Sequence, residues 1–235
     1  KAYRRGKRSR SLGHEAAGEV VETAQHGSVQ VGDRVVVMPL SPCGTCSLCL
    51  RGAYIHCEHP VDPLAVCASE TGTATYAEYL IKQDRQLIPI PDDMSYEHAA
   101  MACCGLGPTF GAMQYLNVGA FDTVLITGMG PVGLGGVINA RYRGARVIAV
   151  ESHPYRTELA RSLGAEHVIH PGEADALKRI RTLTGGTGVD AAVDCTGVPQ
   201  AQRLAIEATR RLGTVCFVGE GGGVEVFVST DMIRK

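Results

Sequence analysis

What is scarce in this chain narrows it first. Charge of one sign does not dominate: 23 Lys and Arg stand against 24 Asp and Glu, for a formal net charge of -1. That balance leaves no broad footprint for nucleic acid or an anionic membrane. The only basic concentration, Arg4, Arg5, Lys7, Arg8 and Arg10, reads as a solvated surface segment. No apolar run reaches the roughly 18 residues a spanning helix needs, and no basic-then-apolar leader stands at the amino end. Internal repeats and low-complexity tracts are missing too. A composition of 45% hydrophobic and 20% charged over 235 residues excludes disorder and suits one large domain or two modest ones. The expectation is a cytoplasmic protein with neither nucleic-acid nor membrane partners.

Cysteine, by contrast, is plentiful. There are nine, an odd number, which without a secretory signal fits metal ligands plus reduced core thiols better than a disulfide framework. Four of them, Cys43, Cys46, Cys49 and Cys57, form a C-x2-C-x2-C-x7-C array. Thiolates that close in sequence can converge on one tetrahedral zinc, because each Zn–S bond needs only about 2.3 Å and turns such as Gly44-Thr45 supply the bends. Two disulfides, or four separate buried thiols, are the competing readings. The stretch from Ser41 to Pro60 is polar and turn-rich, so it would draw its order from a metal rather than from a core of its own. Cys67, Cys195 and Cys216 lie among small or apolar neighbours and read as core.

The first half is β-rich. Strand patterns run over Gly18 to Thr23, Arg34 to Met38, Ala77 to Ile81 and Gln86 to Ile90, punctuated by Gly, Pro and Asp, with Val31-Gly32-Asp33-Arg34 as a tight turn. Ser95 can cap a helix through Cys103, and Pro108 can start another to about Leu116. The second half alternates: strands are predicted at Thr123 to Thr127, Arg146 to Glu151, His167 to His170, Val189 to Asp194 and Thr214 to Val218, with amphipathic helical stretches between. Near-continuous apolar strands separated by helices predict a parallel sheet covered on both faces. Two domains are expected, 1–113 and 114–235.

Strand Thr123 to Thr127 runs into Gly128-Met129-Gly130-Pro131-Val132-Gly133 and then a helix. Glycine allows a tight turn at Gly128, close approach of a pyrophosphate at Gly130, and close helix-to-strand packing at Gly133. Phosphates would rest on the amides at the helix N-terminus. A lone GxGxxG says little, but here a strand precedes it, a helix follows, and Glu151 ends the next strand. A carboxylate there accepts from ribose hydroxyls and repels a 2′-phosphate, favouring NAD over NADP. Arg156 could pair with Glu151, meet a phosphate, or be an exposed helix charge. Cys195-Thr196-Gly197 and Val218-Gly219, at the ends of the fourth and fifth strands, should border the same crevice.

Near the start stands Gly13-His14-Glu15, then Ala16-Ala17-Gly18-Glu19-Val20-Val21. With the Val31-Gly32-Asp33-Arg34-Val35 turn, the four-cysteine lobe and the glycine fingerprint following in order, the chain resembles the zinc-dependent medium-chain dehydrogenase/reductase family. The family includes the zinc alcohol, sorbitol and threonine dehydrogenases. The resemblance implies an α/β chain: a GroES-like β-rich catalytic domain, then a doubly wound parallel-sheet Rossmann domain. It also implies that His14 ligates a catalytic zinc, that Glu15 lies beside or transiently on that metal, and that Cys43, Cys46, Cys49 and Cys57 close a separate structural zinc, two zinc ions in all. Met101-Ala102-Cys103-Cys104-Gly105-Leu106-Gly107-Pro108-Thr109-Phe110-Gly111 is similar to the family's third-ligand segment. It selects Cys104 over Cys103 and would bring Thr109 to the nicotinamide.

A further family cysteine upstream of Gly-His-Glu, with its Ser or Thr relay, has no counterpart in the thirteen residues before His14. A sixth strand and a return to the catalytic domain would follow Lys235, so the residues are expected to be part of a longer polypeptide, a homodimer or homotetramer when full length. The implied activity is NAD-dependent oxidation of a secondary alcohol or polyol. A zinc-independent quinone or enone reductase of the same superfold, or a non-catalytic NAD-binding protein, are the alternatives.

Overall fold

The computed structural model describes residues 12–24, 27–62, 65, 68, 74–173 and 175–235. The basic opening and Cys67 lie outside them. The chain divides into two compact units, Lys1–Cys103 and Cys104–Lys235, so the boundary falls ahead of the expected residue 113 and the helix begun by Pro108 belongs wholly to the second unit.

In the first unit, β1 (Ala17–Glu19), β2 (Arg34–Val37) and β3 (Leu87–Pro89) form an antiparallel sheet in that order. Val35 lies opposite Gly18 and Val36 opposite Ile88. Three consecutive valines with both faces covered make β2 the strand the core needs: Val35, Val36 and Val37 are all buried, and Val20, Val29 and Leu87 pack on Val35. The predicted turn forms at Gly32, whose φ of +94° suits glycine; its amide donates to Val20 O at 2.8 Å. Beyond Glu19 the expected strand does not continue, and Ala77 to Ile81 has no regular structure, with Tyr79 and Ile81 exposed. Ser95 caps α2 (Tyr96–Ala100) by accepting from the His98 amide at 3.3 Å. That helix stops at Ala100 rather than Cys103, and a wide π-type turn, Ala102–Leu106, follows. A single turn of helix, α1 (Ser47–Leu50), lies earlier, inside the cysteine array.

The second unit begins with α3 (Gly107–Tyr115), where Pro108 sits in the first turn as predicted. Then β4 (Thr123–Thr127), α4 (Pro131–Tyr142), β5 (Arg146–Val150), α5 (Pro154–Ser162), β6 (His167–Ile169), α6 (Ala176–Leu183), β7 (Val189–Asp194), α7 (Pro199–Ala208) and β8 (Thr209–Phe217) alternate. All five strands are parallel, ordered β6-β5-β4-β7-β8. Every residue of β4 is buried. Its period-two alternation sends Val124 and Ile126 into one core, with Met113, Val137 and Val147, and Leu125 into another, with Ile148, Ile180 and Ala205. Each such fully buried large side chain is worth about 1.5–3 kcal/mol relative to exposure. β8 starts earlier than predicted because it is irregular: Thr209 pairs with Val189, the register then shifts, and Leu212 takes a φ of +57°. β4 lies between β5 and β7, the point at which successive connections leave in opposite directions, so the crevice of this doubly wound sheet opens at the carboxyl end of β4.

Candidate dinucleotide crevice and zinc lobe

In the first unit the four array cysteines meet. Their Sγ atoms all lie within 4.8 Å of one another, the only such ligand group found among the described residues. Cys43 and Cys49 sulfurs are 3.9 Å apart, far beyond a disulfide bond and close to the about 3.8 Å that two corners of a Zn–S tetrahedron of 2.3 Å radius require. Backbone N–H groups point at the sulfurs: Thr45 and Cys46 donate to Cys43 Sγ at 3.4 and 3.3 Å, Cys43 to Cys57 Sγ at 3.3 Å, and Cys49 to Cys46 Sγ at 3.5 Å. Gly44, with φ +79°, gives the turn that aims them. The Thr45 amide and hydroxyl and the Cys46 amide bring the Cys43 thiol down to about 5, and the Cys49 amide lowers Cys46; burial pushes Cys49 up. Four soft donors so placed, two already tuned toward thiolate, fit a closed zinc site. The competing disulfide reading fails, since none of the described cysteines is bridged.

The lobe is rooted by one short turn, Asp84–Gln86. Gln86, 1% exposed, donates through Nε2 to Leu40 O at 2.6 Å and Ser41 Oγ at 3.0 Å, and Arg85 Nη1 donates to Cys43 O at 3.1 Å. Ser41 O in turn accepts from Val61 N at 2.8 Å, closing the base.

His14 and Glu15 are exposed residues just ahead of β1. Their approach is fixed by Gly13 (φ +83°), where a Cβ would fall 2.4 Å from Thr75 Oγ1, and by the Tyr76 amide donating to Leu12 O at 3.1 Å. Cys103 turns its thiol to Val37 O at 3.0 Å inside the first unit, whereas Cys104 opens the second unit within the 102–106 turn. His14 and Glu15 thus belong to one unit and Cys104 to the other. Thr109 is fully buried; its hydroxyl donates to Leu106 O at 3.3 Å and accepts from Asn139 Nδ2 at 3.0 Å. Asn139 was not legible as a site residue.

The glycine fingerprint occupies the end of β4. Gly128 has a φ of +82°, and a Cβ on it would lie 2.4 Å from the Thr196 methyl; one on Gly133 would lie 1.8 Å from Gly128 O; one on Gly130 would meet nothing within 4 Å. Two of the glycines are therefore demanded by the fold, and the third is left open toward the crevice. Gly130 caps α4 without a side chain, Pro131 and Val132 form its first turn, and no side chain accepts from the first amides.

Glu151 directly follows β5 and is 8% exposed. Its Oε2 accepts from Met129 N at 2.8 Å, its Oε1 from Ser152 N at 2.7 Å and His153 N at 2.8 Å. Burial alone would raise this carboxyl, but the His153, Met129 and Ser152 amides, with the charge of Arg156, outweigh it and hold the group below its usual value. Arg156 is exposed on α5. At the end of β7, fully buried Asp194 accepts from Thr127 Oγ1 and Thr196 Oγ1, both at 2.6 Å, and from Gly197 N at 2.9 Å. Asp194 was missed in the sequence, although Asp-Cys-Thr-Gly after an apolar run carries a turn signature. Cys195 beside it is pushed up to about 12 by burial, so it packs as a thiol. Val218 N donates to Asp194 O at 2.8 Å, which places the end of β8 on the same crevice wall. A 380 Å³ hollow lined by Asp175, Leu177 and Arg181 lies on α6, away from this crevice.

A doubly wound dinucleotide fold joined to a β-rich unit bearing a four-thiolate lobe defines a zinc-bearing, nucleotide-dependent class. Residues 2–92 match the alcohol dehydrogenase GroES-like domain and residues 131–235 the zinc-binding dehydrogenase family. The chain is 36% identical over 225 residues to the zinc-type alcohol dehydrogenase-like protein YphC of Escherichia coli, covering 94% of this chain and 63% of that one. It is 36% identical over 211 residues to sorbitol dehydrogenase of Bacillus subtilis, covering 88% and 58%. Alcohol dehydrogenase TADH from Thermus sp. ATN1 shares the fold with a TM-score of 0.84 at 28% identity, over 96% of this chain and 67% of that one. The chain belongs to the zinc-dependent medium-chain dehydrogenase/reductase family. It spans only 63% and 58% of those two curated relatives.

Proposed function

We propose that the protein transfers hydride between a secondary alcohol or polyol and NAD, with zinc polarising the substrate oxygen. The observation that carries this reading is the pairing, in one chain, of a preformed four-thiolate lobe with a glycine crevice flanked by the Glu151 carboxylate. The polyol preference draws on the similarity to sorbitol dehydrogenase.

Gly130 leaves room for the pyrophosphate, and the α4 amides receive its charge. The Glu151 carboxylate disfavours a 2′-phosphate, which selects NAD over NADP. His14 and Cys104 offer the imidazole and thiolate donors that an open zinc site uses, with Glu15 the neighbouring carboxylate. When bound there, zinc supplies Lewis-acid polarisation that lowers the pKa of an alcohol. Thr109, in the first turn of α3, would approach the nicotinamide. Cys43, Cys46, Cys49 and Cys57 fill four positions of their own metal and leave none for substrate, so their role is structural. A homodimer or homotetramer in the cytoplasm completes the proposal; among the described residues no helix is long and apolar enough to cross a membrane.

The test is NAD reduction over a panel of secondary alcohols and polyols, with zinc content measured in parallel. Two zinc ions per full-length chain and turnover abolished by His14→Ala are expected. Undiminished activity in that variant would sink the assignment.

A further inference from the structure

The glycine loop that would receive the pyrophosphate has almost no side chain with which to hold its own path. Gly128 and Gly130 have none, and the Met129 side chain is fully buried beneath. The loop is instead held from both flanks. On the β5 side, Gly128 N donates to Val150 O at 2.8 Å and Met129 N to Glu151 Oε2 at 2.8 Å. On the β7 side, the Thr196 methyl stands against Gly128, close enough that a Cβ there would lie 2.4 Å away. Thr196 is itself fixed by Asp194 Oδ1, through its hydroxyl at 2.6 Å and its amide at 3.2 Å. Two carboxylates, one at each neighbouring strand end, thus grip the loop between them.

We propose that Glu151 is a positioning residue of the dinucleotide loop, opposed across it by Asp194: its own turn locks one carboxylate oxygen, so that the other holds the Met129 amide of the loop as well as facing the ribose. A carboxylate has about four lone-pair sites. Oε1 accepts from the Ser152 and His153 amides and, at 3.4 Å, from the Ser152 hydroxyl, while Oε2 accepts only from the Met129 amide, which leaves one site, on Oε2, for a ribose hydroxyl. The carboxylate therefore acts twice: its charge excludes a 2′-phosphate, and its geometry sets where the Met129 amide and the pyrophosphate seat lie. The inference rests on reading this crevice as the NAD site.

The two roles separate by substitution. Glu151→Gln removes the charge and turns a carboxamide NH2, a donor, toward at least one backbone N–H. Were charge exclusion and one ribose hydrogen bond the only roles, it would admit NADP and leave binding of an NAD analogue lacking the adenosine ribose hydroxyls unchanged, whereas the positioning role weakens that analogue as well. The positioning role also predicts that the KM and Kd for NAD rise about tenfold, the scale of one lost buried hydrogen bond, with kcat at saturating NAD within about twofold of the parent. Glu151→Asp keeps the charge but shortens the reach to Met129; NAD weakens comparably while NADP stays excluded. Titration calorimetry of the parent and both variants with each nucleotide reads this out, alongside steady-state kinetics. Affinity for NAD or for that analogue unchanged in both variants, with the parent binding NAD, overturns the positioning role alone. A parent that binds neither nucleotide overturns the crevice reading and this proposal with it.

Discussion

The fingerprint glycines differ in what they protect, and paired alanine substitutions should separate fold from function. In Gly133→Ala the new methyl would lie 1.8 Å from Gly128 O and 2.9 Å from Gly128 C. Both are backbone atoms of the loop that leaves β4, so no side chain can swing aside and the turn or the helix must move by more than an ångström. Such overpacking costs about 1–3 kcal/mol, against which alanine recovers at most about 1 kcal/mol of helix propensity. At roughly 2–4 °C per kcal/mol for a chain of this size, the melting temperature should fall by several degrees. In Gly130→Ala the methyl meets nothing within 4 Å and the backbone, at φ -71°, already suits alanine. Its fold cost is the loss of a glycine N-cap, at most about 1 kcal/mol. Its functional cost is the methyl in the pyrophosphate seat, which should weaken NAD by about tenfold or more, equivalent to 1.4 kcal/mol. Thermal melting and NAD titration of the two variants decide the matter. A Gly133→Ala protein that melts with the parent and binds NAD equally, or a Gly130→Ala protein that binds NAD as the parent does, refutes the reasoning.

Two further outcomes are expected. Zinc chelation, or Cys46→Ser, should expose residues 41–60 to protease first while the 104–235 unit stays protected, because only the lobe takes its order from the metal; an unchanged digestion pattern contradicts the structural-zinc role. In acid, Glu151 and Asp190 should report together. For Asp190 as for Glu151, burial raises the carboxyl but is outweighed, here by the Thr123 amide and the Arg210 side chain. Folded values below the unfolded ones mean that their stabilisation is present above the ordinary carboxylate range, about pH 4, and is lost as the pH falls through the lowered folded values. Asp190→Asn should therefore flatten the acid limb of a melting-temperature profile, and an identical limb would count against the pairing.

The second unit was largely legible because its strands are buried on both faces: Thr123–Thr127 and Val189–Asp194 appear where the apolar runs stand. The fingerprint could be read because each glycine answers a steric demand. What escaped depends on contacts between distant residues. Tyr79 and Ile81 have the side chains of a strand, but β-propensity expresses packing on a neighbour, and here they face solvent. The helix from Ser95 ends early where the chain enters the 102–106 turn, whose Gly105 carbonyl sits so close to Gly135 that a Cβ there would lie 2.0 Å away. Asp194 reads locally as the last residue of a strand; three of its four donors come from the Thr196-Gly197 turn, and the fourth, the Thr127 hydroxyl, depends on β4 lying alongside.

The 2.8 Å bond between Ser41 O and Val61 N has a topological meaning. The metal lobe leaves the β-unit and returns to it at one spot, so in sequence it is a detour and not a link. Its contour can lengthen, shorten or drift without altering where β2 ends or where the chain resumes, and each doubling of such a loop costs only about 0.6 kcal/mol. The zinc lobe is thus free to diverge in surface and size while the sheet beneath it stays the same.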